Sequence, residues 1–191
     1  MLLSSTIQTV RLVTRTLLIF VAALFSFDGA ASVKIGGKHA LEVKYYPIER
    51  ADSLSGLDAD IDKQARKNGL KTDAATDTSY KWSIKEVHEK GDGMCKVARI
   101  NIYAATVILL PDFSQQMLSQ DDMNTLLKSN AELLTHEFEH YRNHQLAYAK
   151  ILQVVALSEF PCQTFKQSLK AKIESIIMTH KSFDEHIDAQ F

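Results

Sequence analysis

The sequence predicts an α+β fold, in which helices pack on a small antiparallel sheet and a long helix is followed by an antiparallel C-terminal helix. Residues 41–47 and 80–85 alternate apolar and polar side chains, as half-buried strands do, and residues 100–110 are nearly all apolar. Residues 121–158 contain no Gly and no Pro, so nothing interrupts a helix there. Apolar residues at helical spacing continue after Pro161.

The predicted strands are separated by turn residues. The first ends at Pro47, which is typical of a strand end or a sheet edge. The second, centred on Trp82, is followed by the turn Gly91-Asp92-Gly93 and by a third strand that starts at Cys95. We therefore expect the second and third strands to form an antiparallel hairpin, with both faces of the third strand covered.

Three helices are predicted from apolar residues at helical spacing. Asp52 or Ser53 can cap the first helix, and Asn68-Gly69 ends it. Phe160-Pro161-Cys162 reads as the turn between the second and third helices. The apolar stripes of the three helices include Leu57 and Ile61, then Leu126, Tyr141, Ile151 and Val155, then Phe165, Leu169, Ile173 and Ile176.

The chain of 191 residues has the length of one domain, and its formal net charge of −1 is too balanced to suggest a nucleic-acid surface. Residues 1–31 have the form of a secretory signal peptide, because Arg11 and Arg15 precede an apolar run over 16–25 and small residues follow at 29–31. A retained N-terminal membrane anchor is the alternative. The expected location is the periplasm or the extracellular space, with membrane contact only through the signal segment before cleavage.

The two cysteines, Cys95 and Cys162, both lie in the part that would be exported. An even count in an oxidising compartment predicts one disulfide bond. Two buried free thiols are the alternative. A cysteine ligand for a metal is disfavoured, since neither residue has a second cysteine at metal-site spacing.

The stretch from His136 to His140 reads His-Glu-Phe-Glu-His, which places two imidazoles four residues apart on one face of the long helix. Both can then bind a single Zn²⁺ ion. Glu137, next to the first ligand, is the candidate catalytic base that takes a proton from a zinc-bound water. This chemistry predicts a zinc-dependent hydrolase.

Zinc in such an enzyme needs a third protein ligand. His144 follows at the same spacing, but eight residues of helix separate it from His136 by roughly 12 Å, which is too far for a tetrahedral site. Glu159 would serve only if the long helix broke. Because the last helix returns antiparallel, Asp184 is the predicted third ligand, with His180, Glu185 and His186 as alternatives on the same helix.

The order of these features resembles the predicted secreted zinc-dependent proteases of bacteria, known as the domain of unknown function 922 family. The similarity covers residues 43–188 and departs from the family at Ile187 and Ala189-Gln190, where the family has Thr and His-Gly. It is carried by Tyr45-Tyr46, Trp82, Cys95, Leu110-Pro111-Asp112-Phe113, the motif at 136–140, Cys162 and Phe183-Asp184. The resemblance implies that residues 32–191 form a zincin-like metallopeptidase domain.

The expected function is therefore that of a secreted zinc-dependent endopeptidase with a polypeptide substrate, which could add as a strand to a sheet edge. Two alternatives stay open. The first is a non-catalytic envelope protein with a binding or assembly role and a structural metal site. The second is a zinc amidase that acts on cell-wall peptides through the same residues.

Overall fold

A computed structural model describes residues 33–190, so the predicted signal peptide over 1–31 lies outside the described residues. The described part is α+β, as predicted. The elements in chain order are β1 (Lys34–Pro47), α1 (Leu54–Lys67), β2 (Ala75–Glu89), β3 (Met94–Asp112), α2 (Gln120–Leu157), β4 (Glu159–Pro161) and α3 (Phe165–Asp188).

The four strands form one sheet with β3 at its centre, between β1 and β2. β2 and β3 form the predicted antiparallel hairpin. β1, however, runs parallel to β3, so the sheet is mixed and the expectation of a wholly antiparallel sheet is corrected. The short strand β4 pairs antiparallel with the start of β3, at the position where the sequence predicted only a turn.

β1 begins seven residues before the predicted strand, and Gly36-Gly37 lies inside it. Gly37 has a φ angle of +128°, which glycine adopts far more easily than other residues. A Cβ atom at this position would lie 1.6 Å from the carbonyl oxygen of Ile102 in β3. Only glycine therefore allows β1 to pair with β3 here.

The long helix α2 is uninterrupted over its 38 residues, as the absence of Gly and Pro predicts. Its N-terminus is capped by the hydroxyl of Ser119, which accepts a hydrogen bond from the backbone N–H of Asp122 at 3.2 Å. Asp121 and Asp122 place negative charge in the first turn, where it stabilises the helix. α3 returns antiparallel and packs along α2, which brings the end of the chain back toward the middle of α2.

The main core lies between one face of the sheet and the two long helices. Alternate residues of β3 point into it and are buried. Tyr103 and Ala105 point to the opposite face and are exposed, so the expectation that both faces of this strand are covered is wrong there. A second core at the end of the sheet is formed by α1 with Tyr46 and the start of α2. The main core contains Val97, Ile100, Ile102, Ala147, Ile151, Val155, Phe165, Leu169, Ile173 and Ile176.

Cys95 and Cys162 form the predicted disulfide bond, and no other cysteine exists in the chain. It links the first residues of β3 to the segment between β4 and α3. Within residues 33–190, no helix is both long and apolar enough to span a bilayer. A disulfide is compatible with an exported protein, since such bonds persist in oxidising compartments.

Candidate metal centre

His136 and His140 lie one turn apart on α2 and turn their Nε2 atoms toward each other, at a separation of 3.2 Å. His140 is buried and His136 is nearly so. Two ring nitrogens at this distance are spaced as two ligands of one metal ion. The structure therefore brings together the two histidines that the motif predicts.

Asp188, in the last turn of α3, completes the group. Its Oδ1 lies 2.9 Å from His140 Nε2 and 3.4 Å from His136 Nε2. In a tetrahedral zinc site with Zn–N bonds of about 2.0–2.1 Å, neighbouring ligand atoms lie about 3.3 Å apart. The three distances match the edges of one face of such a tetrahedron, so the donor atoms present fit a zinc ion.

Asp184, the predicted third ligand, lies on the other side of the His140 ring. Its Oδ1 accepts from His140 Nδ1 at 3.1 Å and from Asn143 Nδ2 at 2.8 Å. Burial alone would raise the pKa of the Asp184 carboxyl, but these hydrogen bonds, together with the nearby His144 and His140, outweigh burial and lower that pKa. Metal binding by Asp184 stays a prediction, and the contacts favour a role in orienting His140.

Glu137 is the most buried acidic residue of the centre, with 3% of its surface exposed. Its carboxylate accepts a hydrogen bond from the hydroxyl of Thr76 in β2 at 2.7 Å. Burial raises the pKa of Glu137, and the hydrogen bond from Thr76 and the nearby His140 and His136 act in the opposite direction. The side chain is therefore held between α2 and the sheet, next to the two histidines.

A bacterial family described as a protein of unknown function, DUF922, matches residues 43–190. The chain belongs to this family. The match runs from the middle of β1 to the end of α3 and includes the whole candidate centre. The description of DUF922 assigns no activity. No curated protein and no solved structure matches the chain.

In this DUF922 chain, His144 contributes to the surroundings of the centre and not to the group of metal-binding atoms. Its Nε2 lies 3.3 Å from Oδ2 of Asp184, and its Nδ1 lies 3.3 Å from the hydroxyl of Tyr80. Burial lowers the pKa of His144. The carboxylate of Asp184 therefore contacts both His140 and His144.

The other alternative ligands lie elsewhere. The Nδ1 of His180 lies 2.6 Å from Oδ1 of Asn143, whose amide donates to the backbone carbonyl of His180. His186 contacts Gln190, one turn later on α3. Glu185 is exposed, and Glu159 pairs at the surface with Lys90. None of these side chains joins the group that the described residues form with His136 and His140.

Sequence reasoning missed Asp188, although a signal for it exists. Asp188 follows Asp184 by four residues and so lies on the same face of α3. Side chains on a helix lean toward its N-terminus, so a residue reaches the level of the turn before its own. In this DUF922 chain the lean carries the Asp188 carboxylate back to the two histidines.

A surface groove of about 410 Å³ lies beside His136 on the exposed side of α2. Of the three residues of the group, His136 also lines the groove, and the side chain of Asp188 is 61% exposed. The residues that line the groove are Lys128, Ala131, Glu132, Thr135, His136 and Glu139. The groove therefore adjoins the centre at His136 in this DUF922 chain.

Proposed function

We propose that the chain is an exported zinc-dependent endopeptidase. The observation that carries the proposal is the convergence of His136 Nε2, His140 Nε2 and Asp188 Oδ1 beside Glu137. Zinc bound by these three residues would supply a Lewis acid that activates water and polarises the carbonyl of a peptide bond. The zincin-like character of the domain belongs to the same proposal.

Glu137 acts as the general base in this proposal. Its raised pKa brings its proton affinity closer to that needed for proton transfer near neutral pH. One carboxylate oxygen is fixed by Thr76, so the other receives the proton from the attacking water and returns it to the leaving amine. Asp184 accepts a hydrogen bond from Nδ1 of His140 and so orients the ring, which leaves Nε2 of His140 for the metal.

The number of ligands favours an enzyme over a protein with a structural metal site. Structural zinc sites are closed by four protein ligands, whereas catalytic sites use three and keep one position for water. Within residues 33–190, the group of metal-binding atoms contains three side chains, and that of Asp188 is 61% exposed. Export is supported by the disulfide bond together with the signal-like sequence at the N-terminus.

The replacement Glu137→Gln tests the proposal most directly. It keeps the size of the side chain and removes the base, so we expect bound zinc to remain near one ion per chain and the rate of hydrolysis to fall about 100-fold or more. Zinc is measured by elemental analysis, and hydrolysis with a quenched-fluorescence peptide library.

Glu174→Gln is the matched control, because it makes the same change at an exposed position of α3 fourteen residues before Asp188. This variant should cleave like the wild type. A wild-type protein that binds no zinc, or a Glu137→Gln variant that cleaves at the wild-type rate, would rule out the proposed mechanism.

A further inference from the structure

The contact between α2 and α3 changes from apolar to polar at the metal centre. No residue of α3 between 177 and 186 is buried. Between Leu126 and Ala147, the buried residues of α2 are all polar. They are Glu137, His140 and Asn143. The apolar contacts of α3 that precede this stretch are made by Phe165, Leu169, Ile173 and Ile176. Polar contacts therefore hold the two helices together beside the metal-binding atoms.

Asn143 is the residue of α2 that makes most of these contacts, and only 4% of its surface is exposed. Its Nδ2 donates to the backbone carbonyl of His180 and to Oδ1 of Asp184, both at 2.8 Å. Its Oδ1 accepts from Nδ1 of His180 at 2.6 Å. One side chain of α2 thus bonds two residues that lie one turn apart on α3, and both N–H groups of its amide are used.

The partners of Asn143 allow only one orientation of its amide. The nitrogen faces a carbonyl oxygen and a carboxylate oxygen, and the amide oxygen faces a ring nitrogen that donates. A half-turn of the amide would place its oxygen against the two acceptors, and buried acceptors that face each other lack hydrogen bonds at a large cost in free energy. Asn143 therefore always presents an N–H group to Asp184.

This N–H group matters because two histidine rings compete for the carboxylate of Asp184. Oδ1 of Asp184 lies 3.1 Å from Nδ1 of His140, and Oδ2 lies 3.3 Å from Nε2 of His144. The second donor on Oδ1, from Asn143, keeps that oxygen beside His140. A carboxylate turned toward His144 would leave Nδ1 of His140 without an acceptor, and a ligating histidine needs that acceptor to keep its ring orientation.

We propose that Asn143 is a positioning residue of the metal centre, which acts through Asp184 to hold the ring of His140 with Nε2 toward the metal ion. This inference rests on the proposed zinc site and deepens it. Asn143 bonds only residues of α3, and the group of metal-binding atoms is formed by His136, His140 and Asp188. Its effect on the metal is therefore indirect and depends on the carboxylate between them.

Asn143→Leu removes the amide and keeps a side chain of similar size. We expect zinc affinity to fall about tenfold, at the lower end of the effect of groups that orient a metal ligand. The visible absorption spectrum of the Co²⁺ form should also change, since it reports the arrangement of the ligands. Affinity is measured by competition with a chromophoric chelator, and urea denaturation of the metal-free protein measures stability separately.

Asn124→Leu is the matched control, because it makes the same change at an exposed position of α2. It should bind zinc like the wild type and give an unchanged Co²⁺ spectrum. If Asn143→Leu does not fold, Asn143→Ala removes the same polar groups without adding apolar atoms between the helices, and the same two results are expected of it.

A double-mutant cycle separates positioning from packing. Asp184→Ala removes the carboxylate through which Asn143 acts, so Asn143→Leu/Asp184→Ala should bind zinc within about threefold of Asp184→Ala alone. A residue that only packs the two helices together would cost the same factor with and without Asp184. A further loss of about tenfold in the double variant would therefore overturn the positioning role.

The outcomes distinguish this inference from the proposed function. Zinc affinity and a Co²⁺ spectrum of Asn143→Leu that equal those of the wild type would overturn the inference alone. A wild type that binds zinc and cleaves no peptide would overturn the endopeptidase, whereas the effect of Asn143→Leu on zinc affinity would stand. A wild type that binds no zinc would overturn both proposals.

Discussion

Asp184 and Asp188 lie one helical turn apart on α3, and the two carboxylates contact different nitrogen atoms of His140. Asp188 reaches the Nε2 atoms that face each other, whereas Asp184 reaches the Nδ1 atom of His140. A histidine that donates from one nitrogen to a carboxylate presents the other nitrogen as a metal ligand. The two aspartates therefore act on opposite sides of the same ring.

The motif residues could be predicted from sequence because their spacing fixes their geometry within one helix. Which residue of α3 lies beside the two histidines depends on the position of α3 along the axis of α2. The sequence correctly predicts that α3 runs antiparallel beside the motif. Whether Asp184 or Asp188 reaches the Nε2 atoms depends on a shift of one helical turn, about 5.4 Å. Side-chain packing between the helices sets that shift, and no local pattern reports it.

Replacement of the two aspartates separates these roles. Asp188→Asn replaces the charged carboxylate of the proposed ligand by a neutral amide, so we expect zinc affinity to fall more than about 100-fold. Asp184→Asn disturbs the orientation of His140 and should cost about 10- to 100-fold. Zinc affinity is measured by competition with a chromophoric chelator, and circular dichroism monitors the fold.

Glu185→Gln, at an exposed position between the two aspartates, serves as the control and should bind zinc like the wild type. If Asp184→Asn lost more affinity than Asp188→Asn, Asp184 would be the metal ligand, as the sequence predicted. Equal affinity of all three variants and the wild type would exclude a ligand from α3.

At the level of elements, β1 was the hardest to predict. Alternation of side chains identifies a strand but not its direction, and parallel pairing of β1 with β3 depends on the path of the chain through α1 and β2. Its first half was missed because Gly36-Gly37 is typical of a turn, whereas Gly37 is needed for close approach to Ile102. The β2–β3 hairpin was predictable because both strands and their turn are local.

β1 also contributes a half-buried histidine to the contact with α2. The Nε2 of His39 lies 2.7 Å from the hydroxyl of Thr106, and the ring packs against Tyr141 and Tyr148. Burial, with a smaller contribution from His144, lowers the pKa of His39 from 6.5 to about 4. His39 is therefore neutral in the folded protein at pH values where it is already charged in the unfolded chain.

This difference predicts how stability depends on pH. Between pH 6.5 and 4 the unfolded chain binds a proton at His39 and the folded protein does not, so folding is progressively disfavoured as the pH falls through this window. His39→Gln cannot take up the proton and should show a smaller loss of stability between pH 7 and 4.5. Urea denaturation of metal-free protein at several pH values measures this difference.

The exposed His88 in β2 offers the matched control, and His88→Gln should lose stability with falling pH as the wild type does. Identical pH dependence of His39→Gln and the wild type would show that His39 is protonated in the folded protein as readily as in the unfolded chain.

For the molecule as a whole, the disulfide connects the sheet to the helical pair on which the centre is built. Cys95 lies at the start of β3, and Cys162 precedes α3, the helix that carries Asp188. Backbone hydrogen bonds between β4 and β3 link the same two parts of the chain. The path of α3 along α2 therefore starts from a point that is fixed to the sheet.

The two cysteines are separated by 67 positions in the sequence, so the loss of chain entropy in the unfolded state predicts a stabilisation of about 4 kcal/mol. We expect Cys95→Ala/Cys162→Ala to lower the free energy of unfolding in urea by about this amount and to abolish the effect of added reductant, which destabilises the wild type. The exported wild type should contain no titratable thiol, and two thiols in that assay would contradict the disulfide. If reductant destabilised the double variant as much as the wild type, its effect could not come from the bond between Cys95 and Cys162.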